Sequence, residues 1–398
     1  MQGVIAFALS MAYTYTAVFY VQTVGLNALQ LVLIGTALEA SYFSFEVPTG
    51  VIADTYSRRL SVILGTFCLG ATLFVVVGFG TFAALLLAQV ISGIGYCLHS
   101  GAIEAWVADE VGEAAAGPAF VRGSQASLTG AVLGPLTGAL LASGGVTLPI
   151  LVGGGCLVVL GIALSLLMPE GSFRPNRVPH EHHLDAMSRT LRGGIGIVRS
   201  RPVVATILAL AFGLGAFSEG LDRLWEAHLL TNIGLPTLGS LVPVVWFGLI
   251  GSASSLLGLG SAEVVRRTID LQNSLTVARS LLALESVLSA SVIAFALAGS
   301  FQLALVGIVV AQVCRATAGP LYTTWLNQHV PSDVRATVIS LSGQANALGQ
   351  MIGGPGVGLI GTVFSLRAAL ATAGALLLPN LVLYGRLLRR GDAGAHRD

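Results

Sequence analysis

The chain has 398 residues, of which 54% are hydrophobic and only 10% charged, with 20 basic against 19 acidic side chains. A soluble domain carries about 25% charged residues, so these proportions exclude a water-soluble globular protein and point to a polytopic membrane protein. A net charge of +1 leaves no electrostatic footprint for nucleic acid, and every basic residue is an arginine.

The 50 glycines read as small-residue contacts between membrane helices rather than as loops. Cys68, Cys97, Cys156 and Cys314 lie inside apolar segments at no metal-ligand spacing, and read as small buried hydrophobes. No cofactor or metal is expected. The N-terminus enters an apolar run with no basic residue before it, which reads as a first spanning helix and not a cleaved leader.

A spanning helix needs about 20 apolar residues. Twelve segments qualify: 3–23, 29–52, 61–80, 82–107, 120–142, 147–168, 203–229, 238–262, 278–299, 301–325, 336–361 and 367–388. The connections after even-numbered segments carry Arg58, Arg59, Arg122, the set from Arg174 to Arg201, Arg266, Arg267 and Arg335. Those after odd-numbered segments carry nothing basic until Arg367. By the positive-inside rule both termini and the long middle connection are cytoplasmic, in the plasma (inner) membrane.

The expected fold class is therefore an all-α membrane protein of twelve transmembrane helices in two pseudo-symmetric six-helix bundles. Residues 1–168 form the first bundle, 169–201 a linker, 202–390 the second bundle and 391–398 a tail. In the linker, Leu184, Met187, Leu191, Ile195 and Val198 recur at helical spacing, as in a short amphipathic helix on the membrane surface. His180, His182 and His183 beside it are expected to be solvated rather than metal-binding. The halves repeat weakly: Trp106 and Val111 match Trp325 and Val330, Gln125 matches Gln344, Gly130 matches Gly349, and Gly134-Pro135 matches Gly353-Gly354-Pro355 with one residue inserted.

Ionisable groups deep in a membrane cost about 2.5–3.5 kcal/mol each on insertion scales and so mark function. Glu39 lies roughly 15 Å into the second segment at 1.5 Å per residue, on one face with Tyr42 and Glu46. The seventh segment carries Glu219, Asp222, Arg223 and Glu226, with Glu219 and Arg223 spaced i, i+4. Glu39 and Glu219 are the candidates for proton coupling. Arg315 stands alone in the tenth segment. Tyr13, Tyr20, Tyr42, Tyr96, His99, Arg223, Trp246, Arg315, Asn346 and Gln350 are the candidate lining of a substrate cavity. The aromatics among them suit an amphipathic organic molecule, and also suit plain helix packing.

Between the second and third segments runs Gly50-Val-Ile-Ala-Asp54-Thr-Tyr-Ser-Arg58-Arg59, preceded by Phe45-Glu46-Val47-Pro48-Thr49. The pattern G-x-x-x-D-x-x-x-R-R resembles the signature loop of the major facilitator superfamily, and Gly50 reads as a point of close backbone approach. The fifth segment's Gly130, Gly134, Pro135 and Gly138 resemble the exporter and antiporter motif of that superfamily, with Ala139 at its last glycine. Gly349, Gly353 and Pro355 are the partial copy in the second half.

The resemblance covers essentially the whole chain and implies alternating access. It also implies that Asp54 docks near the inner end of the eleventh helix and that Arg58 pairs with Asp109. Together with Arg59, Glu104 and Arg122 these charges would form a cytoplasmic lock. One departure is Gln89, where drug–proton antiporters of the superfamily often have arginine. The function implied is proton-coupled export of a small amphipathic compound, as in bacterial drug and tetracycline-resistance-like exporters. The partners implied are a small-molecule substrate and membrane lipid, with the chain acting as a monomer. An uncoupled facilitator or uptake transporter is the alternative, and a membrane sensor or enzyme on the same fold a remote one. No nucleophile–base pair or nucleotide loop supports an enzyme.

Overall fold

A computed structural model describes residues 1–173, 202–239, 241–332 and 334–395. The expected surface helix and histidine cluster of the linker lie outside the described residues, as does the last part of the tail.

The described elements are helices. They are α1 (Gln2–Phe19), α2 (Ala28–Thr55), α3 (Arg58–Phe79), α4 (Phe82–His99), α5 (Ala102–Val111), α6 (Glu113–Ala142) and α7 (Thr147–Leu167). The rest are α8 (Pro202–His228), α9 (Val245–Thr268), α10 (Ser274–Leu297), α11 (Phe301–His329), α12 (Arg335–Val363), α13 (Leu366–Ala375) and α14 (Leu378–Ala395). Side-chain caps set several starts: Ser57 Oγ accepts from Leu60 N at 2.9 Å, Asn273 Oδ1 from Leu275 N at 3.0 Å and Ser365 Oγ from Ala368 N at 3.1 Å. Helices α1 and α8 both end in a five-residue π-helical turn, Tyr20–Val24 and Leu229–Ile233. Each turn closes on a glycine of positive φ, Gly25 at 74° and Gly234 at 80°, which other residues adopt at a cost.

Eleven spans are long and apolar enough to cross a membrane among the described residues. Two of them are broken helices, α4 with α5 over Phe82–Val111 and α13 with α14 over Leu366–Arg389. The expected segment 336–361 does form a helix, α12, of 29 residues. It is absent from the eleven because Gln344, Asn346, Gln350 and its glycines dilute its apolar residues. The expected segment 238–262 is corrected by seven residues at its start: α9 begins at Val245, after a non-helical stretch containing Pro236 and Pro243. Large side chains such as Leu140, Leu166, Leu167 and Phe364 are exposed along the helices, as lipid contact requires.

The chain divides into two compact units. The first holds Met1–Leu26, the described residues of Ala37–Met187, and Pro236–Ser252. The second holds Asn27–Thr36, the described residues of Ser188–Leu235, and those of Ala253–Asp398. The start of α2 thus clusters with the second unit and the start of α9 with the first. In the second unit Leu29 N donates to Thr362 Oγ1 at 2.9 Å, and Gly358 and Gly361 leave room for Leu29 and Ala28. In the first unit Ser252 Oγ donates to Val132 O at 2.7 Å.

Small residues carry the tightest helix contacts, and they do so twice. The α1–α6 pair closes on Gly130, Gly134 and Gly138, which face Gly3, Phe7, Ser10, Met11 and Tyr15. The α8–α12 pair closes on Gly349 and Gly353, which face Phe212 and Ala216. Further helix pairs repeat likewise: α3–α4 with α10–α11, and α1–α7 with α8–α13. The glycine motif of the fifth segment is thus a packing device present in both halves.

This packing generates a prediction. A side chain at Gly134 would run into Ser10 Oγ and the Phe7 carbonyl, whereas a Cβ at Gly155 would meet nothing within 4 Å. Gly134→Val should cost about 1–3 kcal/mol or block folding, read as a lower thermal midpoint in detergent, while Gly155→Val should leave the midpoint unchanged.

Candidate functional site

The charged residues of α8 form one cluster within the second unit. Glu219 is only 1% exposed, and its Oε1 accepts from Arg223 Nε at 3.1 Å, one helical turn away. Two glycines make room for it. A Cβ on Gly35 of α2 would collide with the Glu219 carboxylate and with Arg223 Nε, and a Cβ on Gly354 of α12 would lie 2.7 Å from Glu219 Cγ. The adjacent Asp222 points instead to α11, where Arg315 grips it with both guanidinium nitrogens, Nη2 to Oδ2 at 2.8 Å. Arg315 also lies over the Phe217 ring, 5.9 Å from its centroid. Arg223, Arg315 and Asp222 keep 28%, 25% and 38% of their side-chain surface, so they are only partly enclosed. Glu226, two turns beyond Glu219, is buried.

The two ion pairs set two carboxylates against two guanidiniums, with the Glu226 carboxyl outside them. A proton on Glu219 would remove the charge that Arg223 compensates there. Sequence spacing found the Glu219–Arg223 pair, but not the partnership of Asp222 with Arg315, whose distance is set by the α8–α11 packing.

The signature loop forms a second cluster, within the first unit. Arg58 pairs with Asp109 at the end of α5, donates to Ala105 O at 3.1 Å, and lies 3.6 Å from Asp54. Its guanidinium also covers the Phe173 ring at 5.8 Å. Arg59 is anchored at both ends: its amide donates to Glu170 Oε1 at 2.9 Å and its guanidinium to Ser165 O at 2.5 Å. Ser57 Oγ donates to Glu170 Oε2 at 2.7 Å, and Trp106 Nε1 to Pro169 O at 2.7 Å. Glu170 is the residue that sequence reasoning missed. Its signal was a lone carboxylate directly after the sixth segment. Glu104 and Arg122, expected in this lock, are exposed side chains with no bond to these residues. The close approach expected at Gly50 is corrected, since a Cβ there would meet nothing within 4 Å.

The remaining candidates separate into half-buried and packed groups. Glu39, Tyr13 and Tyr96 are half-buried, as is Tyr42, whose hydroxyl is 3.4 Å from Ser100 Oγ. Tyr20 is buried and accepts from Gln89 Nε2 at 3.3 Å, so the glutamine at the departure from the antiporter pattern is tied to α1's end. His99 is not in a cavity: it is buried between α3 and α4, with Nε2 3.0 Å from both Thr66 Oγ1 and Val62 O. Trp246 Nε1 donates to Pro236 O at 2.9 Å and pins the segment before α9. Gln350 Nε2 donates to Asn346 Oδ1 at 2.9 Å, and Asn346 Nδ2 to Ala211 O of α8 at 3.2 Å. Glu285 of α10 is buried. Among the described residues no three metal-ligating side chains gather.

Glu170→Ala would strip the Ser57 hydroxyl and the Arg59 amide of their acceptor, and a lost hydrogen bond of this kind costs about 1–3 kcal/mol. Hydrogen exchange over residues 56–60 should quicken in this variant; unchanged exchange would show that Glu170 does not hold the loop.

Comparison with known proteins agrees with this construction. A model of the Major Facilitator Superfamily matches residues 1–341. An uncharacterized MFS-type transporter of Bacillus subtilis (strain 168), YxaM, is 24% identical over 371 residues, covering 92% of this chain and 89% of that one. Solved structures share the fold: the peptide transporter POT in complex with sulfate (TM-score 0.75, 17% identity, 98% of this chain and 94% of that chain) and the nucleoside transporter NupG (TM-score 0.70, 14% identity, 98% and 96%). With a buried ion pair between glycine-lined helices and a signature loop clamped by its neighbours, this multi-pass membrane chain belongs to the Major Facilitator Superfamily, a secondary transporter and not an enzyme.

Proposed function

We propose that the protein exports a small amphipathic organic compound in exchange for protons. It does so as a monomer with twelve spans in two six-helix halves. The single observation that carries coupling is Glu219: a carboxylate with almost no water, compensated by one arginine and enclosed by Gly35 and Gly354. Such a group exchanges its proton only when the helices around it part, so protonation and conformational change are linked. Arg223 and the Asp222–Arg315 pair then offer charge to a substrate, which therefore carries a polar or ionic group beside its apolar body.

Helix α12, the eleventh segment, completes the twelve spans in this reading. Its polar residues lower its apolarity because it lines the aqueous path, and along it Asn346 bonds α8 and Gln350 bonds Asn346. Small-molecule substrates are consistent with the peptide and nucleoside transporters that share the fold. The arginine distribution supports cytoplasmic termini in the plasma membrane. The charge lock at Arg58, Asp109, Asp54, Arg59 and Glu170 holds one conformation. Export rests on the family resemblance alone, because the glycine motif in α6 serves helix packing in both halves.

Gln89 favours a second reading, an uncoupled facilitator. The two readings separate in liposomes with an internal pH dye, an imposed proton gradient and a panel of amphipathic drugs. Drug-dependent proton flux that is lost in Glu219→Gln is the expected result. Drug movement without proton flux, unchanged by Glu219→Gln, would establish the facilitator.

A further inference from the structure

Glu285 lies midway along α10 and is 4% exposed. The transport cycle proposed above makes no use of it. Its two oxygens have two partners, both on α14: Tyr384 Oη lies 3.2 Å from Oε1, and Asn380 Nδ2 donates to Oε2 at 3.3 Å. Among the described residues it makes no ion pair. The groups facing it are few. From α14 they are Tyr384 and Asn380, and from α11 the half-buried Tyr322, within electrostatic reach of the carboxyl. Of the neighbouring backbone, the Leu210 carbonyl of α8 is taken by Asn380 Nδ2 at 3.0 Å and the Gly374 carbonyl of α13 by Ser289 Oγ at 2.8 Å. No cationic side chain is among them.

A carboxylate in hydrocarbon with only neutral donors is poorly compensated. A proton removes the deficit: the carbonyl oxygen keeps the Asn380 donor, and the new O–H can donate to Tyr384 Oη. Packing alone does not explain an acid here. A glutamine would accept from the same donors with no charge to bury. What the carboxyl adds is the ability to take up and release a proton.

The site also touches the moving part of the cycle. The amide group of Asn380 that meets Glu285 donates to Leu210 O of α8 at 3.0 Å. One residue on, Ala211 O accepts from Asn346 of α12 at 3.2 Å, and one turn back Ile207 O accepts from Tyr322 of α11 at 3.0 Å. Three helices therefore hold carbonyls of one short stretch of α8. Gly213 and Gly215 follow directly, pressed against Asn380 and Asn346. A glycine-bearing stretch whose carbonyls are shared with other helices is a place where a helix bends. Glu219 stands beyond it on the same helix.

We propose that Glu285, Asn380 and Tyr384 form a second proton-binding site, separate from Glu219, whose occupancy sets how firmly α8 is held at Leu210. Glu285 is then a positioning residue, acting on α8 through Asn380. With the proton bound, the three helices stay docked on α8. With it released, the uncompensated charge draws Asn380 and Tyr384 to itself and draws in water, and the hold on α8 loosens.

The test uses the full chain in liposomes and needs no substrate. Infrared difference spectra between alkaline and acid pH should show a carboxylic-acid carbonyl band that Glu285→Gln removes and Glu219→Gln leaves in place. Hydrogen exchange over residues 207–215, corrected for intrinsic rates, should quicken at alkaline pH in the parent and lose that response in Glu285→Gln. Should Glu285→Gln fail to fold, Tyr384→Phe serves: it removes the hydroxyl partner and should shift the band without abolishing it. A parent spectrum that Glu285→Gln leaves unchanged, a band indifferent to Tyr384→Phe, or exchange over 207–215 equally pH-responsive in parent and Glu285→Gln, would overturn the proposal. Loss of the Glu219 role in transport would not affect these readouts.

Discussion

Charge in hydrocarbon is the constraint on which the rest of the structure depends. Hydration that an ion would have in water must be replaced by protein, and each replacement ties helices together. Glu219 shows what this demands. Its carboxylate takes one guanidinium from its own helix and needs two glycines, on α2 and α12, so that their backbones come close enough to exclude water. Asp222 solves the same problem differently, with a guanidinium from α11. Two adjacent acids on α8 thus commit three further helices to one arrangement.

Helix α8 is accordingly where the second unit is most closely specified. Its carbonyls at Ile207, Leu210 and Ala211 are held by side chains of α11, α14 and α12, and its small residues receive the glycines of α12. The equivalent helix in the first half, α1, is packed by the same glycine spacing on α6 but lacks the charges. The same glycine packing thus serves both helices, while the paired charges stand on α8 alone.

Much of this was legible in the sequence, for identifiable reasons. Apolar runs of about 20 residues place the spans because lipid leaves the backbone few other options. The Glu219–Arg223 pair was legible because its spacing is local to one helix. The signature loop was legible as a motif, yet its anchor Glu170 was not, since it is more than 100 residues distant and a lone carboxylate after a span does not say what it binds. The same limit hid the Asp222–Arg315 bridge and the bonds of Glu285 to α14. His99 read as a cavity residue because depth and polarity were visible and the direction of its ring was not; Thr66 and the Val62 carbonyl fix it between α3 and α4. Gly50 failed in the opposite sense, as a motif glycine read for contact where the structure has open space. The assignment of 27–36 and 236–252 to their contact partners depends on tertiary contacts that hydropathy does not encode.

The central claim is that Glu219 is held within the membrane by Arg223 as a compensated pair. A double-mutant cycle on thermal unfolding in detergent tests it most directly, using Glu219→Gln, Arg223→Gln and the two combined. If the account is right, Arg223→Gln alone strands a buried carboxylate and costs on the order of 3 kcal/mol, and adding Glu219→Gln recovers much of that loss. If the two changes simply add, Glu219 does not depend on Arg223, and the account of the site is wrong.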